Sequence, residues 1–126
     1  MSRYDLSTEV RPILQKYLVQ RQSKRYILSV PVNITRKPPQ YGQRVPGLTM
    51  EISTGGLSAM MTEELKIGEA VETSFELPSA GRVTVDTTVR NKNLFRYGFE
   101  FDCLSEEARQ RIIKACESLP PYEGGW

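Results

Sequence analysis

The chain has 126 residues, of which 39% are hydrophobic and 25% are charged. These values favour one globular domain with a modest core. No apolar run approaches the ~20 residues of a membrane-spanning helix, so we expect no membrane span, and we also expect no secretory leader. Cys103 and Cys116 form no CxxC pair, which favours a reducing compartment and a cytoplasmic location.

The sequence contains no histidine, and this excludes several common catalytic sites. Ser-His-Asp and Cys-His catalysis, histidine general-base chemistry and histidine metal sites all need that side chain. Two cysteines cannot complete a four-ligand zinc site, and no GxxxxGK[ST] run is present to bind phosphate. The neighbouring acids at residues 63–64 and 106–107 have diverging side chains. We therefore expect neither an enzyme nor a cofactor.

Charge is distributed unevenly along the chain, although the net charge is only +2. Residues 1–50 carry nine lysines and arginines against Asp5 and Glu9, a net charge of +7, whereas residues 51–126 carry a net charge of −5. Such a division suggests an anionic partner for the first part. The alternative is that the two parts contact and neutralise each other.

Residues 1–20 are predicted to be an N-terminal extension with a short helix at residues 8–20. Ser7 or Thr8 can cap this helix, and Pro12 falls in its first turn, where proline is tolerated. One face is apolar and comprises Ile13, Leu14, Tyr17 and Leu18. We expect this face to pack on the body of the same chain or on a second copy, so a homodimer is one expectation.

From Tyr26 onward the apolar residues alternate with a period of two. This pattern predicts six short strands, at residues 26–35, 48–52, 57–61, 70–77, 83–89 and 95–101, separated by turns rich in glycine and proline. Pro31 within the first strand indicates a sheet edge or a bulge. Six such strands favour an all-β core, either a closed antiparallel barrel or a sandwich, and closure would leave no unpaired edge.

The period changes again after the last strand. Ser105 is predicted to cap a C-terminal helix that has Glu106 and Glu107 in its first turn. Its apolar face comprises Ala108, Ile112, Ala115, Cys116 and Leu119. Two prolines end the helix, and residues 120–126 are expected to form a flexible tail in which Tyr122 and Trp126 could dock on a partner.

A basic segment, RQSKR at residues 21–25, connects the N-terminal helix to the first strand, and we call it the basic hook. Its cations are Arg21, Lys24 and Arg25. A guanidinium group matches phosphate oxygens and the O6 and N7 atoms of guanine, and it can stack on a base. The alternative is a solvated, charged linker.

A second motif, EISTGG at residues 51–56, ends a predicted strand. Glycine lets a backbone approach a ligand closely, and Ser53 can donate or accept a hydrogen bond. The Glu51 carboxylate could accept the N1–H and N2–H₂ donors of a guanine edge. The alternative is a hairpin turn with Gly55 and Gly56 at positive φ.

A third motif, YGFEF at residues 97–101, places Gly98 between aromatic residues of a strand. A glycine in this position often marks a bulge or a close backbone approach. The alternative is that this strand simply supplies Phe99 and Phe101 to the barrel core.

In this order and spacing, the motifs resemble those of the PilZ domain family, which binds the bacterial second messenger cyclic di-GMP. The family signature is RxxxR before the first strand, then [D/N]xSxxG about one strand later. Arg21 and Arg25 match the first element, and Ser53 and Gly56 match the second. Glu51 stands at the Asp/Asn position and puts the carboxylate on a longer arm. The resemblance covers roughly residues 18–118, and Gln20 stands where many members carry another arginine.

The resemblance implies a six-stranded antiparallel β-barrel with a C-terminal helix over residues 21–119. It also implies a cyclic di-GMP site that comprises Arg21, Lys24, Arg25, Glu51, Ser53, Gly56 and Gly98. The implied function is a single-domain receptor or adaptor that orders its basic hook on binding and signals to a separate effector protein.

Two other functions stay open. One is a PilZ-like interaction module that binds no nucleotide. The other is general RNA or DNA binding, which ranks lowest because the aromatic residues are expected on the core face and leave no exposed stacking platform.

Overall fold

The computed structural model describes residues 24–38 and 42–123. The predicted helix at residues 8–20, Arg21 and Trp126 lie outside the described residues. The described part of the chain contains, in order, β1 (Tyr26–Ile27), β2 (Pro31–Arg36), β3 (Arg44–Ile52), β4 (Gly56–Met61), β5 (Ala70–Leu77), β6 (Gly81–Asn93), β7 (Arg96–Phe101) and α1 (Glu106–Cys116).

Six of these strands form a closed antiparallel barrel. The strand order is β3-β2-β5-β6-β7-β4, and β4 pairs back with β3 to complete the ring. Strand β1 is an additional strand that pairs with the end of β3, where Tyr26 lies opposite Ile52 and Ile27 opposite Glu51. The predicted six-stranded antiparallel barrel with a C-terminal helix is therefore confirmed.

The first predicted strand is divided into β1 and β2. The Thr49 hydroxyl occupies the break, because it donates to the carbonyl of Leu28 at 2.7 Å and accepts from the amide of Val30 at 2.9 Å. A buried side chain thus satisfies backbone groups that leave the strand ladder. Pro31 is the first residue of β2 and lies outside the register of β2 with β5, so its missing N–H removes no bond on that side.

Strand β3 begins earlier than the sequence predicts. It starts at Arg44 rather than Leu48, and Val45 is fully buried opposite Ile34. Pro46 and Gly47 obscured this part of the strand in the sequence. Pro46 is exposed at its position opposite Asn33, which is how a proline is accommodated within a strand.

The barrel interior is filled by alternate residues of each strand, as the period of two predicts. In β5, for example, Val71, Thr73, Phe75 and Leu77 are all buried. The hydroxyls of Thr73 and Thr87 lie 2.9 Å apart, so that one donates a hydrogen bond to the other inside the core.

Phe95 is an exception to the expected core face, because its side chain is 64% exposed. The turn between β6 and β7 begins at Leu94, whose φ is +60°, so the alternation breaks before Phe95. The expectation that Phe95 belongs to the core was therefore wrong. Tyr97, Phe99 and Phe101 are buried as predicted.

Helix α1 covers one side of the barrel. The Ser105 hydroxyl accepts a hydrogen bond from the Ala108 amide at 3.0 Å, as predicted for its N-cap. Ile112, Ala115 and Cys116 are buried, and the helix packs against β5 and β6. No helix in residues 24–38 and 42–123 has both the length and the apolar character needed to cross a bilayer.

After α1 the chain returns to β1. The Ile27 amide donates to the Pro120 carbonyl at 2.8 Å, and the Tyr122 amide donates to the Arg25 carbonyl at 2.8 Å. Pro121 forms an antiparallel bridge with Tyr26 between these two bonds. The sequence suggested a flexible tail from residue 120, but residues 120–122 are paired with β1. The prolines do not prevent this pairing, because Pro120 supplies a carbonyl acceptor and Tyr122 supplies an amide donor.

Candidate functional site

The turn between β3 and β4 contains the second motif. The Ser53 amide donates to the Gly56 carbonyl at 2.9 Å, and the Gly55 amide donates to the Ser53 hydroxyl at 3.1 Å. The motif therefore forms a hairpin turn, but neither Gly55 nor Gly56 adopts a positive φ. That part of the hairpin interpretation was wrong, and the glycines need another explanation.

Gly56 is explained by the close approach of two strands. A Cβ atom at this position would lie 2.2 Å from the Phe99 carbonyl oxygen on β7. Gly98 lies on the neighbouring strand β7, opposite Ser58 of β4. A Cβ atom added at Gly98 would lie 2.4 Å from the Asn91 side-chain oxygen. Both glycines thus permit close contacts, one with backbone and one with a side chain.

A cavity of about 290 Å³ opens beside this turn, between the ends of β3, β4, β6 and β7. It brings together five residues that the sequence singled out from three separate motifs: Arg25, Glu51, Ser53, Gly56 and Gly98. Arg25 of the basic hook and the serine-glycine turn therefore share one face of the barrel.

Two other predicted site residues are placed differently. Lys24 is exposed and lines a neighbouring depression formed with Tyr26, Thr54 and α1, not the cavity. Arg21 lies outside the described residues.

Glu51 is a buried carboxylate at the floor of the cavity, with only 3% of the residue exposed. The register of β3 with β4 shifts between Thr49 and Glu51, and this bulge is what re-aims the side chain. Its Oε2 atom accepts from Nη2 of Arg96 at 2.5 Å, and its Oε1 atom lies 3.6 Å from Nε of Arg25. Two guanidinium groups thus compensate the charge, as a buried carboxylate requires.

Arg96 is a functional candidate that the sequence reasoning missed. Its Nη2 atom also lies 3.2 Å from the Tyr122 hydroxyl and 3.4 Å from the Ser58 hydroxyl, and its guanidinium lies 5.5 Å from the centre of the Tyr122 ring. The available signal was an arginine directly before the YGFEF motif. Its partner Glu51 is distant in sequence, so the pairing itself could not be inferred.

The rim of the cavity carries a second missed pair. Arg90 on β6 and Glu100 on β7 form an ion pair with Nε and Oε1 2.5 Å apart. The register of β6 with β7 shifts between Val89 and Asn91, so Arg90 and Asn91 both line the cavity. The regular alternation of the sequence gives no sign of this bulge.

These groups are suited to binding an anionic, planar ligand with hydrogen-bonding edges. The cavity combines guanidinium donors, a carboxylate acceptor, a hydroxyl and close backbone approach at two glycines. In the part of the chain that the structure describes, no group of three or more acidic or cysteine side chains is placed to hold a metal ion.

The closed strand order and the cavity beside the β3–β4 turn define a small β-barrel domain. The model of the PilZ domain family matches residues 19–118, and the chain belongs to that family.

Solved structures with the same fold are distant in sequence. The PilZ domain of YcgR from Escherichia coli, with c-di-GMP, is 15% identical with a TM-score of 0.65, and the match covers 79% of this chain and 91% of that chain. The Bacillus subtilis inhibitor of motility, MotI/DgrA, is 18% identical with a TM-score of 0.64, over 77% of this chain and 49% of that chain. At these identities the likeness shows the fold.

PlzA from Borreliella burgdorferi, in complex with c-di-GMP, is 18% identical with a TM-score of 0.59, over 88% of this chain and 48% of that chain. The chain therefore spans about half the length of MotI and PlzA and most of the YcgR domain. No curated protein matches the sequence.

Proposed function

We propose that this protein is a receptor for cyclic di-GMP and that it binds the dinucleotide in the cavity beside the β3–β4 turn. The observation that carries the proposal is the convergence of Arg25, Glu51, Ser53, Gly56 and Gly98 on that one cavity. Family membership supports it, as do the structures of the YcgR domain and PlzA, both of which contain c-di-GMP.

Each residue has a role that follows from its chemistry. The guanidinium groups of Arg21 and Arg25 bind phosphate oxygens and the O6 and N7 edge of guanine. Glu51 accepts hydrogen bonds from guanine, and Ser53 positions the turn and contacts the base. Lys24, at the edge, adds positive potential without directional contacts.

The cavity is too small to hold the whole dinucleotide. A volume of about 290 Å³ is at the lower end of small-molecule pockets. We infer that one guanine and its phosphate enter the cavity and that the basic hook closes over the rest.

In this proposal, binding of the ligand orders the basic hook. Capture of the ligand by Arg21 and Arg25 fixes residues 21–25, which repositions residues 8–20 and signals to a separate effector protein. Hydrogen exchange of peptides within residues 8–25, with and without cyclic di-GMP, tests this. We expect ligand-dependent protection there, and equal exchange in the two states would contradict the mechanism.

The protein acts in this proposal as an adaptor in the cytoplasm and not as an enzyme. Both cysteines are free in the structure, Cys103 exposed and Cys116 buried, which agrees with a reducing compartment.

Calorimetric titration with cyclic di-GMP tests the proposal directly. Arg25→Ala and Arg21→Ala each remove a charge-assisted contact, so we expect affinity to fall about ten- to a hundredfold. Arg44→Ala is the matched control, because it removes an exposed arginine at the opposite end of β3. Absence of heat with the wild type, or equal affinities for wild type and both hook variants, would overturn the proposal.

A second candidate, an interaction module that binds no nucleotide, is favoured by one observation. Arg25 already faces Glu51 within the chain, with Nε and Oε1 3.6 Å apart, so this arginine has a structural partner without any ligand. Thermal melting separates the two candidates, since a ligand at a hundred times its Kd adds about 2.7 kcal/mol of stability. An unchanged Tm at high cyclic di-GMP would favour the module.

General nucleic-acid binding is tested by the same titration in rising salt. That function predicts a steep loss of affinity with salt and no preference for the cyclic dinucleotide over RNA. We expect cyclic di-GMP to be preferred over an unstructured RNA at every salt concentration.

A further inference from the structure

Glu51 has two carboxylate oxygens in different surroundings. Oε2 is engaged by Arg96 at 2.5 Å. Oε1 is buried, accepts no hydrogen bond from the described residues, and lies 3.6 Å from Nε of Arg25. Oε1 is therefore the acceptor that a ligand can use once the Arg25 side chain turns toward that ligand.

Arg96 makes this exchange energetically feasible. A buried carboxylate that loses its only counter-charge costs several kcal/mol. Because Arg96 stays bound to Oε2, the Arg25 side chain can leave Glu51 without leaving the carboxylate uncompensated. Of the two guanidinium groups, Arg96 is also the less exposed, with 20% of its side chain exposed against 35% for Arg25.

Tyr122 in turn holds Arg96. Its hydroxyl lies 3.2 Å from Nη2 of Arg96, and its ring lies 5.5 Å from the guanidinium. Tyr122 is itself placed by the backbone bond from its amide to the Arg25 carbonyl. Tyr122, which follows the helix, thus contacts both Arg25 of the basic hook and Arg96, the arginine that orients the cavity carboxylate.

We propose that Tyr122 is a positioning residue of the cyclic di-GMP site, acting through Arg96 to hold Glu51 with Oε1 facing the ligand. The proposal rests on the proposed function. It adds Tyr122, which lies beyond residues 19–118 matched by the family model, to the residues that determine affinity for the ligand.

A double-mutant cycle tests this chain of contacts. Tyr122→Phe keeps the ring over Arg96 and removes the hydroxyl, so we expect the Kd for cyclic di-GMP to rise about two- to tenfold. In a Glu51→Gln background there is no carboxylate for Arg96 to orient. We therefore expect Tyr122→Phe to change the Kd by less than about twofold in that background. Glu123→Ala, one residue further along and exposed, is the matched control and should leave the Kd unchanged.

The outcomes separate this inference from the proposed function. A wild type that binds cyclic di-GMP, with Tyr122→Phe lowering the Tm but not the affinity, would show a purely structural role and overturn the inference alone. An equal loss of affinity in the Glu51→Gln background would also overturn it. A wild type that binds no cyclic di-GMP would overturn both. Circular dichroism at the titration temperature verifies that every variant is folded.

Discussion

At the scale of single residues, two adjacent glycines of one turn have different functions. Gly56 is required because β7 passes so close that a Cβ would meet the Phe99 carbonyl at 2.2 Å. Gly55 has no atom nearer than 3.8 Å to such a Cβ, apart from its immediate neighbours. A sequence motif with two glycines therefore contains one essential position.

We expect Gly56→Ala to lower the free energy of unfolding by about 1–3 kcal/mol, because the new methyl group must displace backbone. Gly55→Ala is the matched control. Its φ is not in the left-handed region, so the change should be neutral or stabilising by up to about 1 kcal/mol. Urea denaturation of the two variants measures the difference, and equal losses would contradict the close-approach explanation.

The two cysteines also differ at this scale. Burial raises the pKa of the Cys116 thiol, whereas Cys103 is exposed. We expect iodoacetamide to label Cys103 first near neutral pH, with peptide mass spectrometry as the measurement. The raised pKa means that the folded protein favours the neutral thiol of Cys116. The contribution of this thiol to the free energy of unfolding is therefore complete below the ordinary thiol pKa of about 8.5 and is lost as the pH rises above it. Equal labelling rates of Cys103 and Cys116 in the native protein would contradict the expected order of labelling.

The residue scale also shows where sequence reasoning ends. Arg25, Glu51, Ser53, Gly56 and Gly98 could be chosen from three sequence motifs and their resemblance to the PilZ signature, and the structure places them at one cavity. Arg96 and Tyr122 could not be assigned to this site, because the contacts of Arg96 with Glu51 and with Tyr122 join distant parts of the chain.

At the scale of secondary-structure elements, helix α1 follows closely from local sequence. Ser105, the acids of the first turn and the apolar face each predict the helix that is present. Strand boundaries were harder to predict. The break between β1 and β2 depends on the Thr49 hydroxyl, which comes from another strand. The bulges beside Glu51 and Asn91 are likewise tertiary features.

The N-cap of α1 gives a prediction at the same scale. Ser105→Ala removes the acceptor of the Ala108 amide, so we expect a loss of about 1 kcal/mol in the free energy of unfolding. Ser29→Ala is a control, since Ser29 is exposed and lies outside any helix. Urea denaturation measures both, and a loss no larger than that of the control would contradict the capping role.

At the scale of the whole molecule, the recurring period of two predicted an all-β core, either a barrel or a sandwich, and the resemblance to the PilZ family implied the closed barrel. Its closure depends on β4 pairing with both β3 and β7, and no local pattern specifies these partners. Strand β1 pairs with the end of β3 on one side and with residues 120–122 on the other, and it supports the cavity side on which Arg25 lies.

This arrangement predicts two levels of stability in one chain. The Ile27 and Tyr122 amides each depend on the pairing of β1 with residues 120–122, so we expect them to exchange with solvent at similar rates. Phe75, fully buried on a strand paired on both sides, should exchange far more slowly. Hydrogen exchange followed by NMR tests this order, and Ile27 as slow as Phe75 would contradict it.

The bridge between Tyr26 and Pro121 also has a consequence for biosynthesis. A ribosome releases Arg25 early and Tyr122 only after the barrel strands and helix have emerged, and contacts between such distant residues form late in folding. A nascent chain halted before the helix would therefore contain both signature motifs and still lack the assembled arginine–glutamate–tyrosine network. If the protein binds cyclic di-GMP as proposed, its site would therefore be complete only after Tyr122 has left the ribosome.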